Sequence, residues 1–240
     1  MGETGGSVRG GPAAHTDRAF EQELRTVRVS LLRMAGHVEN MIGQAGQALV
    51  ERDARLAREI IEEDQQVNRA EVEIDELCLR ILAKRQPMAS DLRFVTLAMK
   101  MVTDLERIAD LAVNICERAL QLVDAPVVVH AEIPEMCTAV EGMVREAIGA
   151  FVDRDVARAR RVIASDDVVD EYYHRIFEDL LRRMQDEPAL LHAWIHVQSV
   201  AKWLERMGDH STNLAELVIF MVEGRDVRHP RLSKPPHDQR

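Results

Sequence analysis

Carboxylate side chains recur in pairs at helical spacing in this sequence. Glu106 and Asp110 form one pair, and Glu205 and Asp209 form a second pair at the same place in an echoed stretch. In both stretches Leu-Glu-Arg is followed by Asp, then Asn, then Glu at identical spacing. A spacing of four residues aligns two side chains on one face of a helix, where like charges repel each other. The repeated pairs therefore predict that a cation lies between the carboxylates.

That cation could be a metal ion or an arginine that the chain itself supplies. Arg107 and Arg206 directly follow the two glutamates, so each pair could instead belong to a solvated, ion-paired helix face. Two unit charges about 4 Å apart interact by roughly 4 kcal/mol at an effective dielectric constant of 20. Several unpaired acids in one place would therefore be costly, or would raise each other's pKa.

Further polar residues on the preceding helix of each half favour the metal hypothesis. Asp166 and Asp170 repeat the four-residue spacing, and Asp64 and Asn68 stand at the matching positions in the first half. Acids from two neighbouring helices would supply three or four oxygen ligands, which suit Mg²⁺, Mn²⁺, Ca²⁺ or iron. The candidate metal ligands are Asp64, Glu106, Asp110, Asp166, Asp170, Glu205 and Asp209.

Other chemistry finds little support in the sequence. A redox di-iron centre needs two Glu-x-x-His motifs on different helices, and only Glu171 to His174 fits that pattern. His210 follows Asp209, but leucine stands at the equivalent place in the first half, so we expect this histidine to face solvent, with a role as an additional metal ligand as the alternative. No nucleophile elbow, phosphate-binding glycine loop or dinucleotide fingerprint occurs. We therefore predict that the protein is not an enzyme.

Composition indicates an all-α protein. Hydrophobic residues make up 46% of the 240 residues, whereas aromatic residues make up only 4%, a profile typical of helices rather than strands. The net charge of −10 argues against nucleic-acid binding. No signal segment or membrane-spanning apolar run occurs. We expect a cytoplasmic protein that reaches a membrane only through its partners.

The cysteines give no sign of a disulfide framework or a zinc site. Cys78, Cys116 and Cys137 are odd in number, lie far apart and form no Cys-x-x-Cys motif. We predict that each is a small buried thiol on a helix.

An internal duplication divides the chain into two similar halves. Residues 38–61 align without a gap on residues 140–163. We predict two tandem three-helix bundles related by this duplication. The predicted segments are a disordered leader at 1–16, a first bundle at 17–124, a second bundle at 133–224 and a disordered tail at 225–240.

Local signals predict the helix ends and contacts of the first bundle. Asp53 can cap the second helix, which should end before Pro87. Ser90 or Asp91 can cap the third helix. The following glycines in the first helix predict close approach of another helix: Gly36, Gly43 and Gly46.

The stretch around the first acid pair resembles the signature of the PhoU family, whose members regulate bacterial phosphate uptake. The resemblance rests on residues 105–115, the Gln-Pro dipeptide ending at Pro87 and the Asp-Leu-Arg triplet beginning at Asp91, and it extends over about residues 20–222. It implies tandem three-helix bundles, commonly dimeric, that bind metal through acid-x-x-x-acid motifs. It also implies a negative regulator that links the phosphate ABC transporter ATPase to a membrane sensor histidine kinase.

The resemblance carries the family's metal ligands onto particular positions of this chain. They are Asp64, Glu106, Asp110, Asp166, Asp170, Glu205 and Asp209. Asn68 departs from the pattern, because an acid is expected there. The function implied is a metal-binding adaptor that keeps phosphate-starvation genes off when phosphate is plentiful.

Two other functions fit a helical protein with these acids. One is a metal-dependent hydrolase, which turnover of a generic phosphate ester with a divalent metal would favour. The other is a purely structural, co-chaperone-like adaptor. Unchanged metal content and regulation in Asp110→Ala and Asp209→Ala would favour that second alternative.

Overall fold

Six long helices make up the described part of the chain. The computed structural model describes residues 12–225 and residue 227, with side chains from residue 18 onward, and it has no strand among them. The helices are α1 (Pro12–Glu51), α2 (Ala54–Arg85), α3 (Ala89–Leu122), α4 (Ile133–Asp153), α5 (Val156–Asp186) and α6 (Leu191–Glu223), with a 3-10 turn (Pro188–Leu190) before α6. The prediction of two tandem three-helix bundles is confirmed.

The same turn joins the first two helices of each repeat. Arg52 and Arg154 both adopt the left-handed conformation, with φ of 56° and 55°. Asp53 then caps α2 by accepting hydrogen bonds from the main-chain N–H groups of residues 55 and 56, at 2.9 and 3.0 Å. Asp155 caps α5 in the same way through the N–H of Arg158, at 2.9 Å. Each cap contributes roughly 1 kcal/mol, so the duplication extends to the elements that begin the outer helices.

The prediction that Ser90 or Asp91 caps α3 was wrong. The N-cap residue is Met88, and it makes no side-chain hydrogen bond. Ser90 and Asp91 lie inside the first turn, and the N–H of Asp91 already donates to the carbonyl of Met88 at 3.1 Å. A backbone turn thus satisfies a main-chain N–H group that would otherwise donate to the side chain of a capping residue.

The first helix begins earlier than the predicted start near residue 17. It starts at Pro12, and proline suits this position because its fixed φ is helical and it has no N–H left unsatisfied. The predicted leader otherwise lies outside the described residues, as does the predicted tail apart from Arg225 and Val227.

One continuous core joins the two repeats. The inner helices α1, α3, α4 and α6 pack against one another, with α1 against α4 and α3 against α6 across the repeat boundary. The outer helices α2 and α5 pack only within their own repeat. Each outer helix therefore buries one face against a pair of inner helices. The acids on α2 lie beside α3, and those on α5 lie beside α6.

Two of the three glycines mark the close approach of α1 and α4. A Cβ on Gly43 would lie 2.7 Å from an oxygen of Glu141, and a Cβ on Gly46 would lie 2.7 Å from the sulfur of Cys137. Gly36 has nothing within 4 Å of that position, so the prediction was wrong there.

All three cysteines are free and buried, as predicted. None of the helices described is both long enough and apolar enough to span a membrane.

Candidate functional site

The helix packing brings acids together at two places, one in each repeat. The first acidic cluster comprises Asp64, Glu71 and Asp75 on α2 and Glu106 and Asp110 on α3. The second acidic cluster comprises Asp166 and Asp170 on α5 and Glu205 and Asp209 on α6. In both clusters the carboxylates are close enough to perturb one another's pKa.

In the first acidic cluster, burial and mutual repulsion raise the pKa of several acids. Partial desolvation raises the pKa of Glu106, and the charge of Asp110 raises it further. Desolvation also raises the pKa of Asp64, against a hydrogen bond from Asn68 that lowers it. The same cause raises the pKa of Glu71. Both effects disfavour the charged carboxylates in the absence of a nearby cation.

Two carboxylate oxygens of this cluster are buried without a hydrogen-bond partner. They are Oδ1 of Asp64 and Oδ1 of Asp75. The other oxygen of Asp64 accepts a hydrogen bond from the amide of Asn68 at 2.7 Å. A buried acceptor without a donor costs about 1–3 kcal/mol, and more when the group is charged. The first acidic cluster therefore contains acceptors that a cation could satisfy.

The neighbouring arginines do not neutralise the acid pairs firmly. Arg107 lies 3.6 Å from an oxygen of Glu106 and 3.5 Å from an oxygen of Asp110, and its side chain is 58% exposed. An ion pair with this exposure contributes between 0 and about 1 kcal/mol. Arg206 makes no salt bridge in the part of the chain that the structure describes. Within the described residues, Arg107 thus makes two long, exposed contacts with the acid pair of the first repeat, and Arg206 makes none with the acid pair of the second.

In the second acidic cluster, Asp166 is the most strongly perturbed acid. Burial, followed by the charges of Asp170 and Asp209, raises its pKa to about 6. Desolvation and then the charge of Glu205 raise the pKa of Asp209. Gly208 lets Asp166 approach α6, because a Cβ there would lie 3.1 Å from Oδ1 of that carboxylate.

Glu205 already has a cationic partner. The ammonium of Lys202 donates hydrogen bonds to both oxygens of Glu205, each at 2.6 Å. The same ammonium lies 5.2 Å from the ring centroid of Tyr173. Lys202 thus bridges α6 to α5 beside the carboxylates.

Sequence reasoning missed Glu71, Asp75 and Lys202. Glu71 and Asp75 continue the face of α2 that begins at Asp64 and Asn68, at steps of three and four residues, and this spacing was a usable signal. Neither acid is duplicated, because Tyr173 and Phe177 stand at the equivalent places in α5. These two rings stack with their centroids 6.0 Å apart.

The two singled-out histidines lie outside the carboxylate clusters. His210 is partly buried, and its Nδ1 lies 2.9 Å from an oxygen of Asp104 on α3. The prediction that it faces solvent was wrong, because α6 packs against α3 at this point. Nδ1 of His174 lies 2.7 Å from the main-chain oxygen of Asp170, one turn earlier in the same helix.

Within the described residues, no three His, Cys, Asp or Glu side chains are placed so that they could hold a metal ion together. The acids of each cluster sense one another's charge, but their oxygens do not converge on one point. The donor chemistry suits a hard cation, and the unpartnered oxygens of Asp64 and Asp75 are acceptors that such a cation could satisfy. Sharing an ion would require rotation of the acidic side chains.

Comparison with known proteins adds evidence from relatives. The PhoU domain model matches the chain twice, at residues 31–119 and 133–218. The chain is 40% identical over 222 residues to the phosphate-specific transport system accessory protein PhoU homolog of Pseudomonas putida, covering 92% of this chain and 87% of that protein. It is 36% identical over 218 residues to the phosphate-specific transport system accessory protein PhoU of Escherichia coli K12, covering 90% of each.

Solved structures agree with this relationship. The crystal structure of PhoU from Pseudomonas aeruginosa superposes with a TM-score of 0.82 at 40% identity, covering 85% of this chain and 99% of that chain. The phosphate transport system regulatory protein PhoU from Streptococcus pneumoniae superposes with a TM-score of 0.81 at 27% identity, covering 87% of this chain and 99% of that chain. On sequence and fold together, this chain belongs to the PhoU family.

Proposed function

We propose that this protein is a cytoplasmic negative regulator of phosphate uptake and of the phosphate-starvation response. It acts as an adaptor between the ATPase of the phosphate ABC transporter and a sensor histidine kinase, and it works as a homodimer without catalysis of its own. The observation that carries the regulatory part is the match of both repeats to relatives named as accessory proteins of the phosphate-specific transport system. Those names describe accessory rather than enzymatic proteins.

The second part of the proposal is that the acidic clusters bind divalent or iron-type metal ions. In the first acidic cluster, oxygens of Asp64, Glu106 and Asp110 would hold the ion, with Glu71 and Asp75 adjoining them. The orphaned oxygens and the raised pKa values support this assignment. A bound cation would offset the repulsion between α2 and α3 and stabilise their packing.

The second acidic cluster offers a comparable set of donors. Asp166, Asp170, Glu205 and Asp209 would hold the ion there. The pKa of about 6 at Asp166 supports a cation at this place, because it reflects repulsion from the neighbouring acids as well as burial.

A reporter strain tests the regulatory role. The gene is placed in a bacterium that lacks its own PhoU protein and carries a phosphate-starvation promoter fused to a reporter. We expect the wild-type chain to restore repression in phosphate-rich medium and to co-purify with the transporter ATPase. Failure to repress despite normal protein levels would overturn the regulatory proposal.

Site variants test the metal part in the same strain. The double variant Asp110→Ala/Asp209→Ala should lose bound metal and repress less well. Glu117→Ala is the control, since it removes an exposed carboxylate of α3 outside the first acidic cluster. Unchanged metal content and unchanged repression in the double variant would refute the metal part and leave the regulatory part standing.

A further inference from the structure

The two acidic clusters differ at one position on the third helix of each repeat. Lys202 lies one turn before Glu205 on α6, whereas Thr103 lies one turn before Glu106 on α3. The hydroxyl of Thr103 donates to the carbonyl of Met99 at 3.3 Å and brings no charge to the carboxylates. The second repeat therefore carries a positive charge that the first lacks.

The ammonium of Lys202 already occupies the oxygens that a metal would use. Both oxygens of Glu205 accept from it at 2.6 Å, the short distance typical of charge-assisted hydrogen bonds. The side chain of Glu205 is only 16% exposed, whereas that of Lys202 is 44% exposed, so water screens this pair in part. The ring of Tyr173 beneath the ammonium favours the same position.

The first acidic cluster has no comparable occupant. The guanidinium of Arg107 stays at 3.5 Å or more from both acids, and two buried oxygens of the cluster have no donor. Glu71 and Asp75 add negative charge where the second repeat has two aromatic rings. The first repeat thus combines more carboxylates with less internal neutralisation.

We propose that Lys202 is a built-in competitor for the cation, so that the second acidic cluster binds divalent metal more weakly than the first. The inference rests on the proposed metal binding. A metal ion entering the second acidic cluster must either displace Lys202 from Glu205 or bind through Asp166, Asp170 and Asp209 alone. The hydrogen bonds of Lys202 go to Glu205, and Lys202 acts on Asp209 only through its charge. The competition therefore weakens metal binding at the second acidic cluster without abolishing it.

A Mn²⁺ titration of the full-length protein tests the inference. Calorimetry of metal-free wild type should reveal two classes of site. Asp110→Asn should remove the tighter class, and Asp209→Asn should remove the weaker one. Circular dichroism of each variant confirms that the helices remain folded.

Exchange of the competing residue provides the decisive comparison. Lys202→Met keeps the aliphatic chain over Tyr173 and removes the ammonium. It should tighten Mn²⁺ binding at the weaker class of site by about tenfold. A tenfold change corresponds to roughly 1.4 kcal/mol, and a hydrogen bond to a charged group contributes about that much or more. Thr103→Lys should weaken the tighter class, because its ammonium can reach Glu106 one turn away. Lys100→Met is the matched control for net charge, since Lys100 is exposed and makes no salt bridge in the described part of the chain.

The outcomes separate the inference from the function on which it rests. Two classes of Mn²⁺ site whose affinities respond to the substitutions as stated support the inference. Equal affinities in wild type, or a weaker class unmoved by Lys202→Met, overturn the inference while metal binding stands. No Mn²⁺ binding in wild type or in Lys202→Met overturns the metal part of the proposed function, and the inference falls with it.

Discussion

The first and second repeats share helices, turns and acid positions, yet they differ in how the charge of their carboxylates is neutralised. The first repeat buries two unpartnered oxygens, on Asp64 and Asp75. The second directs Lys202 onto Glu205 and replaces two of the acids with Tyr173 and Phe177. A duplicated fold therefore does not imply a duplicated site, because substitutions at a few positions outside the fully buried core can change the electrostatics while the helices and turns are kept.

The largest expected effect is stabilisation by metal. Mn²⁺ at about one hundred times the Kd of the first acidic cluster should raise the free energy of unfolding by about 2.7 kcal/mol through that site, and by less through the weaker second acidic cluster at the same Mn²⁺ concentration. We expect this stabilisation to be largely lost in Asp110→Ala and reduced to a smaller extent in Asp209→Ala. Thermal unfolding with Mn²⁺ or with EDTA measures it. Equal losses in the two variants would remove the proposed difference between the repeats.

The next effect is a dependence of stability on pH, to which Asp166 makes the largest single contribution among the clustered acids. The pKa of Asp166 is raised to about 6 in the folded protein from 3.8, so the folded state holds this proton more tightly than the unfolded chain. Its stabilising contribution is fully present below pH 3.8 and is lost as the pH rises through 6. In EDTA, Asp166→Asn should unfold at a higher temperature than wild type at pH 7 and should flatten the pH dependence between 4 and 6.5. Asp64→Asn should show the same change to a smaller degree, and a reversed order would contradict the assignment.

A smaller effect concerns the close approach of Asp166 to α6. A Cβ on Gly208 would lie 3.1 Å from Oδ1 of Asp166 and 3.3 Å from a methyl of the buried Val169. Gly208→Ala should therefore destabilise the protein by about 1 kcal/mol, because the crowding outweighs the gain in helix propensity. Ala109 stands at the equivalent place in the first repeat, and Ala109→Gly should cost about 1 kcal/mol through helix propensity, plus a contribution from the loss of its buried methyl group. Urea unfolding measures both, and a stabilised Gly208→Ala would show that the carboxylate moves freely.

The smallest effects are expected at the arginines beside the acid pairs. Arg107→Ala should change the free energy of unfolding by less than about 0.5 kcal/mol, since its ion pairs are long and exposed. Arg206→Ala should change it even less. A loss above about 1 kcal/mol in either variant, measured by chemical denaturation without metal, would favour the ion-paired interpretation of the acid faces.

The sequence predicted the features that local rules determine. The helix start at Asp53 follows from side-chain capping, and the all-α class and the two-bundle arrangement follow from composition and duplication. The paired acids on α3 and α6 were found because polar identity at fixed spacing has no explanation in core packing. These signals depend on neighbours in sequence or on repetition, and both are visible without coordinates.

Other features depend on contacts that a single sequence does not display. The position of His210 is set by Asp104 on α3, far away in the chain. Glu71 and Asp75 lacked counterparts in the second repeat, so the search for duplicated residues missed them. The i,i+3 spacing of Lys202 and Glu205 was a usable local signal for their ion pair, whereas the contact of Lys202 with Tyr173 depends on the packing of α5 beside α6. The start of α3 depended on a backbone turn that competes with the side-chain caps.

Elemental analysis tests most directly whether these carboxylates hold a cation. The protein is purified without chelators and without a metal-affinity column, and wild type is compared with Asp110→Asn and Asp209→Asn. We predict that wild type retains a metal, that Asp209→Asn retains most of it and that Asp110→Asn loses most of it. Metal-free wild type, or an Asp110→Asn variant with as much metal as wild type, would contradict the account.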